Sequence, residues 1–130
     1  MTRFLALAAL AFIPAAGAAE EKFFLQDGQR VVFLGDSNTY AHLYVSYIDA
    51  YLVTRFPDQR FDVLNLGLPS ENVSGLSEPD HPFSRPNLHD RLARVLEKTK
   101  PNVVVACYGM NDGIYYPFSE ERFQRFQALS

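Results

Sequence analysis

This 130-residue chain has few of the features that mark several protein classes. Its single cysteine cannot form an internal disulfide, which excludes cysteine-rich zinc sites and small disulfide-stapled scaffolds. The formal net charge of -3 is too small to predict a surface for polyanions, so nucleic acid is not an expected partner. No apolar run reaches the roughly 18 residues that predict a membrane span. Since 14% of the residues are aromatic, wholesale disorder is excluded as well, and a soluble globular domain or part of one is predicted.

The first 19 residues have the pattern of a secretory signal peptide. Arg3 supplies a positive charge, residues 4–13 form a short apolar run, and a run of small residues follows. Cleavage after Ala18 or Ala19 would leave residues 20–130 as an exported domain, secreted or periplasmic. An N-terminal core helix is the alternative interpretation of the same residues.

Three strands are predicted in the mature chain, at residues 30–34, 61–66 and 103–107. Each is a run of apolar residues, many of them β-branched, that stops near a glycine or a turn. The third run lacks any alternation of apolar and polar residues, which is typical of a strand covered on both faces. Cys107, at its end, is therefore predicted to be a packed core thiol rather than a nucleophile.

Helices are predicted in the intervals between these strands. Tyrosines and leucines recur at spacings of three and four from Tyr40 to Tyr51, which predicts a helix face packed on the sheet. That helix should end before Pro57. A second helix is expected to begin with Asn87 as its N-cap, and a third at Ser119.

The order of these elements predicts an α/β fold with a parallel sheet and right-handed crossovers. A proline-rich loop at residues 68–86 interrupts the alternation, and loops of this length are usually functional or disordered. Three strands would make a small sheet for this class, so we expect the chain to be the N-terminal part of a longer domain. Because open parallel sheets bind ligands at the carboxyl ends of their strands, the turns there are the expected site.

Each strand end carries a residue suited to acyl transfer. Ser37 follows the first strand and offers a hydroxyl nucleophile together with a backbone N–H, although a helix-capping serine is the alternative. Gly67 can present an unshielded N–H to a substrate oxygen, or simply form a tight turn. Asn111 can donate its amide N–H to the same oxygen while Asp112 holds the turn, and ordinary turn chemistry is again the alternative.

Together these turns resemble the first three sequence blocks of the SGNH (GDSL-type) hydrolases, over about residues 30–112. The matching blocks are residues 35–37, Gly67 and residues 109–112. The resemblance implies that Ser37 is the nucleophile and that the oxyanion hole consists of the Ser37 N–H, the Gly67 N–H and the Asn111 side chain. It also implies a flavodoxin-like three-layer α/β/α sandwich that hydrolyses esters with no metal or cofactor.

The sequence departs from the family pattern at two points. Asn38 replaces the usual Leu or Ile after the serine, a change seen among members with polar substrates. The fourth block, an Asp-x-x-His that supplies the general base and its orienting acid, is absent from the 130 residues. His42 and His89 are expected at the surface or at helix ends, while His81 could line the cleft. The 130 residues alone are therefore expected to be nearly inactive, with the catalytic His and Asp outside them.

The sequence thus predicts an exported serine esterase that removes an acyl group, most simply acetyl, from a polar or carbohydrate substrate. A lipid esterase or thioesterase, a carbohydrate-binding relative without chemistry, and a truncated piece without a function of its own stay open as alternatives. The aromatic residues 115–118 could form a wall for a sugar ring or acyl group, or pack in the core. Met110 is expected to pack beneath its turn.

Overall fold

Three parallel strands form the centre of the molecule. The computed structural model describes residues 23–129, so the predicted signal peptide lies outside the described residues. The strands are β1 (Arg30–Gly35), β2 (Asp62–Gly67) and β3 (Val103–Cys107), in the order β2-β1-β3. The register pairs Gly35 with Gly67 on one side and with Cys107 on the other. The three strand ends therefore meet at one edge of the sheet, as the sequence predicts.

The helices begin and end close to the positions expected from sequence. They are α1 (Ser37–Tyr40), α2 (Leu43–Arg55), α3 (Leu92–Thr99) and α4 (Glu120–Leu129), with a 3-10 turn at Leu88–Asp90 before α3. The Asn87 side chain caps that turn by accepting a hydrogen bond from the His89 N–H. Within residues 23–129, none of the helices has the length and apolar content needed to cross a bilayer.

Helices cover both faces of the sheet. Alternate residues of β1 point to opposite faces and belong to two different core clusters. One core cluster consists of Val32, Leu34, Val73 and Leu88, with side chains of α3 and α4 packed against it. The other consists of Val31, Phe33 and Val45, the last from α2. This arrangement is a three-layer α/β/α sandwich with a parallel sheet, and the predicted fold class is confirmed.

The layering places the end of β1 at the position where open α/β sheets bind ligands. The crossover from β1 to β2 contains α2 on one face of the sheet, and the crossover from β2 to β3 contains α3 on the other. At the end of β1, the central strand, the two crossovers therefore lie on opposite faces of the sheet. Open α/β sheets bind ligands at such a point. Ser37 lies two residues beyond the end of β1.

The prediction that the tyrosine face of the first helix packs on the sheet is wrong for three of its four tyrosines, whereas Tyr44 packs against the core residue Phe33. Tyr40, Tyr47 and Tyr51 are 64%, 76% and 53% exposed, and the buried residues of α2 are Val45 and Leu52. Tyr40 lies before a break between α1 and α2, where the backbone φ of His42 is a left-handed 69°. Tyr47 and Tyr51 lie one turn apart on an exposed side of α2. A spacing counted across that break does not describe one helix face, and His42 lies at the break rather than inside a helix.

The prediction that β3 is covered on both faces is also wrong. Val104 is 41% exposed and Cys107 is exposed, so Cys107 is not a packed core thiol. Among the described residues β3 pairs only with β1, which makes it an edge strand. The apolar composition of β3 means that both of its faces could be buried. How far they are exposed depends on which other elements pack over the strand.

Candidate active site

Ser37 is the first residue of α1, directly after the end of β1. The N-cap of α1 is Asp36, whose side chain accepts a hydrogen bond from the Asn38 N–H at 2.9 Å. The alternative role of Ser37 as a capping residue is therefore filled by its neighbour. Ser37 is exposed, and its hydroxyl has no hydrogen-bond partner among residues 23–129. Such a hydroxyl is free to meet a substrate and a base.

Two glycines let α1 lie directly on the strand ends. A Cβ added to Gly67 would lie 2.7 Å from the Thr39 carbonyl carbon and closer still to the Tyr40 nitrogen. A Cβ on Gly35 would lie 2.7 Å from the Cβ of Thr39. Real Cβ atoms do not approach so closely, so both glycines are needed for the turn that carries Ser37.

Replacing Gly67 by alanine is expected to destabilise the fold by about 1–3 kcal/mol, because backbone rather than a flexible side chain must move. Urea unfolding of the two proteins measures the difference. Gly113 is the matched control, since its added Cβ would meet nothing nearer than the Met110 carbonyl at 3.9 Å. Equal effects at Gly67 and Gly113 would contradict the close approach.

The Gly67 N–H is engaged in this structure. It donates to Asn65 Oδ1 at 2.9 Å. Asn65 Nδ2 donates in turn to the Thr39 carbonyl at 2.7 Å and lies 2.6 Å from His42 Nδ1. Asn65 thus ties the end of β2 to the break after α1, and a substrate oxygen that used the Gly67 N–H would have to share it with Asn65.

The Asn111 side chain is buried and has a single amide orientation. Its Oδ1 accepts a hydrogen bond from Arg85 Nη1 at 3.1 Å, and its Nδ2 donates to the Glu71 carbonyl at 3.0 Å. Exchanging oxygen and nitrogen would break both bonds, because a guanidinium only donates and a carbonyl only accepts. One of the two Nδ2 hydrogens has no protein partner within residues 23–129.

Direct contacts join the third turn to the first turn and to the long loop. Asn38 Nδ2 lies 3.4 Å from Met110 Sδ, which connects the first turn to the third. Asp112 Oδ1 accepts hydrogen bonds from the Val73 and Ser74 N–H groups at 2.9 and 2.7 Å, so Asp112 holds its turn as predicted. Met110 is 57% exposed, which corrects the prediction that it packs beneath the turn.

A buried ion pair orders the long loop beside Asn111. Arg85 and Glu78 have side chains only 5% and 11% exposed and are joined at 2.7 and 2.8 Å. The hydrogen bonds from Arg85 lower the pKa of Glu78 to about 2, so the pair stays ionised at neutral pH. The Arg85 guanidinium also lies 5.6 Å from the ring centre of Tyr115.

A second buried carboxylate, Glu71, anchors the start of the same loop. Arg91 binds its two oxygens at 2.6 Å each, and the Tyr108 hydroxyl donates to Oε2 at 2.5 Å. Burial, together with the Glu71 carboxylate, raises the pKa of Tyr108 above its ordinary value. Since the backbone carbonyl of Glu71 also accepts from Asn111, the loop supports the asparagine from two sides.

Sequence reasoning missed Glu71 and Arg85 as site residues. Their bonds to Asn111 span 40 and 26 positions of the chain, and no local spacing in the sequence indicates them. The only available signal was their position in a long polar loop between two strand ends.

The three histidines do not complete a triad within the part of the chain that is described. His81 Nδ1 lies 2.5 Å from the Phe83 carbonyl, His42 contacts Asn65, and His89 is exposed. None of their side chains is hydrogen-bonded to Ser37. Residues 23–129 also contain no group of three or more His, Cys, Asp or Glu placed to hold a metal ion.

The aromatic residues after Asn111 do not pack in the core. Tyr115, Tyr116 and Phe118 are 65%, 41% and 77% exposed, which removes the core-packing alternative for them. A cavity of about 430 Å³ lies between this segment and α4. Its lining includes Asp112, Tyr116, Phe118, Arg122 and Phe123. The cavity therefore adjoins the Asn111–Asp112 turn through Asp112.

Comparisons with known proteins give structural neighbours only. No family model and no curated protein matches the chain. A gut microbial diltiazem-metabolizing enzyme is 29% identical, with a TM-score of 0.62 over 81% of this chain and 22% of its own. An alpha/beta hydrolase enzyme from the metagenome of Lake Arreo, Spain, is 25% identical, with a TM-score of 0.55 over 68% of this chain and 42% of its own.

A catalytic mutant of an acetylxylan esterase from Geobacillus stearothermophilus has a TM-score of 0.60 at 22% identity. That match covers 81% of this chain and 52% of the esterase. The chain thus spans between about a fifth and a half of the length of these three proteins. In its α/β fold, the chain is similar to parts of hydrolase and esterase enzymes.

Proposed function

We propose that this chain carries the nucleophile and the oxyanion hole of a serine esterase of the SGNH type. One observation carries the proposal: the exposed Ser37 hydroxyl lies at the end of β1, on a turn that contacts the turn of Asn111. The hydrolase and esterase neighbours support the same reaction class. The sequence resemblance at residues 35–37, Gly67 and residues 109–112 supports the residue roles.

In the proposed reaction, Ser37 Oγ attacks the acyl carbonyl and its proton passes to a histidine base. The carbonyl oxygen becomes an oxyanion that accepts hydrogen bonds from the Ser37 N–H and from the free Nδ2 hydrogen of Asn111. The Gly67 N–H joins them if Asn65 Oδ1 shares it. As the intermediate collapses, the histidine gives its proton to the departing alcohol. The same base then takes a proton from water, which attacks the acyl-serine, releases the acid and restores the Ser37 hydroxyl.

The histidine base and its orienting acid are the parts that residues 23–129 do not supply. We assign them to residues encoded after Ser130, in keeping with a chain that spans about half of the acetylxylan esterase. This chain together with those residues is the extended protein. By the N-terminal pattern, the extended protein is exported after cleavage near Ala19.

An acetyl ester of a carbohydrate is the proposed substrate. Two features support it: the polar and exposed Asn38 beside the nucleophile, and the exposed aromatic side chains at residues 115–118, which suit stacking on a sugar ring. Acetylxylan esterases among the structural neighbours are consistent with that substrate class.

A series of 4-nitrophenyl esters from acetate to octanoate, assayed with the extended protein, tests this assignment. We expect kcat/KM to be highest for acetate and to fall at least tenfold by octanoate. A maximum at long chains would instead identify a lipid esterase or thioesterase. Binding of acetylated xylo-oligosaccharide with no hydrolysis of any ester would identify a carbohydrate-binding relative.

A further inference from the structure

The Asn111 carboxamide is held by two partners, and one of them is a cation. Arg85 Nη1 donates to Oδ1, while the Glu71 carbonyl accepts from Nδ2. The guanidinium therefore lies on the oxygen side of the amide, and the second Nδ2 hydrogen has no partner within residues 23–129. A positive charge at that oxygen polarises the amide and makes its N–H groups stronger donors.

The position of Arg85 is itself fixed. Its Nε and Nη2 bind the two oxygens of Glu78, which leaves Nη1 for Asn111. Its backbone N–H donates to the Ser77 hydroxyl oxygen at 2.5 Å, and the Tyr115 ring lies beside the guanidinium. All three guanidinium nitrogens of Arg85 therefore have a partner. The group cannot turn away from Asn111 without losing hydrogen bonds to Glu78.

We propose that Arg85 is a positioning residue for the oxyanion hole, acting through Asn111. It fixes the carboxamide orientation and polarises it, so that the free Nδ2 hydrogen donates to the developing oxyanion. Glu78 compensates the buried charge and sets the angle of the guanidinium. This inference rests on the proposed function, since it assigns Asn111 the donor role. It predicts an effect on kcat rather than on KM, because the oxyanion forms only after substrate has bound.

A double-mutant cycle on the extended protein tests the coupling, with 4-nitrophenyl acetate as substrate. Asn111→Ala is expected to lower kcat about 10²- to 10³-fold, the loss typical of one oxyanion donor. Arg85→Ala should lower kcat roughly 10- to 100-fold, the range known for residues that orient metal ligands, and change KM by less than about twofold. In the Asn111→Ala background, Arg85→Ala should have almost no further effect on kcat.

Arg30→Ala is the matched control for removing an arginine ion pair. Arg30 pairs with Asp62 at the opposite end of the sheet, with side chains 39% and 46% exposed, so its loss should leave kcat unchanged. Guanidinium chloride at millimolar concentration should restore part of the lost kcat of Arg85→Ala. It should restore none of the kcat in the variant that carries both Arg85→Ala and Asn111→Ala. If Arg85 only stabilised the fold, guanidinium would not act differently on the two variants.

The proposal is overturned if Arg85→Ala lowers kcat by the same factor in the Asn111→Ala background as in the unmodified protein. If Arg85→Ala does not fold, Arg85→Lys serves in the same cycle, since a lysine ammonium cannot bridge Glu78 and Asn111 through separate nitrogens. The reference variant is Ser37→Ala. If it hydrolyses the ester as fast as the unmodified protein, the proposed function fails, independently of the role of Arg85.

Discussion

Replacing Ser37 by alanine is expected to lower kcat for 4-nitrophenyl acetate on the order of 10⁶-fold in the extended protein, as in a well-studied serine protease. In the proposed reaction the hydroxyl is the atom that attacks the acyl carbonyl, so its removal leaves the proposed site without its nucleophile. Little change in stability is expected, because Ser37 is exposed and its hydroxyl has no partner among residues 23–129.

The matched control is Ser46→Ala, which removes the hydroxyl of an exposed serine on α2. Its kcat should equal that of the unmodified protein. A Ser37→Ala variant that kept a tenth or more of the original rate would show that another residue is the nucleophile.

The 130-residue chain alone is expected to hydrolyse the same ester roughly 10⁶-fold more slowly than the extended protein. The histidine that activates a catalytic serine is worth about this factor. Here no histidine side chain within residues 23–129 is hydrogen-bonded to Ser37. Initial rates at equal protein concentration measure the ratio.

Folding of the short chain is the necessary control for that comparison, and circular dichroism at the concentration of the assay provides it. Comparable rates in the two proteins would place the base within the 130 residues. Alanine variants of His42, His81 and His89 would then identify it, and the assignment of the base to residues after Ser130 would be wrong.

The sequence predicted the central features of the fold because they depend on local pattern and general topology. The strand cores and the glycines that end them, at positions 35 and 67, are marked by composition alone. The rule that parallel strands end at one edge then places Ser37 and the Asn111 turn together. The contact between Asn38 and Met110 is the structural counterpart of that inference.

The errors concern which surfaces are covered, and local pattern does not determine that. The tyrosines of the first helical segment follow helical spacing, but the left-handed φ of His42 breaks the helix between Tyr40 and the rest. The valines of β3 have the composition of a buried strand, yet Val104 is exposed at the sheet edge. Whether a helix or strand surface is buried depends on elements that are distant in the chain. Neither residue spacing nor composition predicts which elements these are.

The supporting residues of the site were not predictable for a related reason. Arg85 and Glu71 hold the Asn111 side chain through bonds that span 26 and 40 positions of the chain. A sequence motif marks the residues that perform chemistry, whereas the residues that orient them are selected by three-dimensional proximity. The engaged Gly67 N–H is a different case: its partner Asn65 is only two positions away, but nothing in the sequence shows that the Asn65 side chain turns back to this N–H.

The most direct test of the central claim is reaction of the extended protein with a fluorophosphonate, followed by peptide mass spectrometry. We expect one phosphonyl group per chain, located on Ser37, with none in the Ser37→Ala variant. An adduct on any other residue, or no adduct in a protein that hydrolyses acetyl esters, would contradict it.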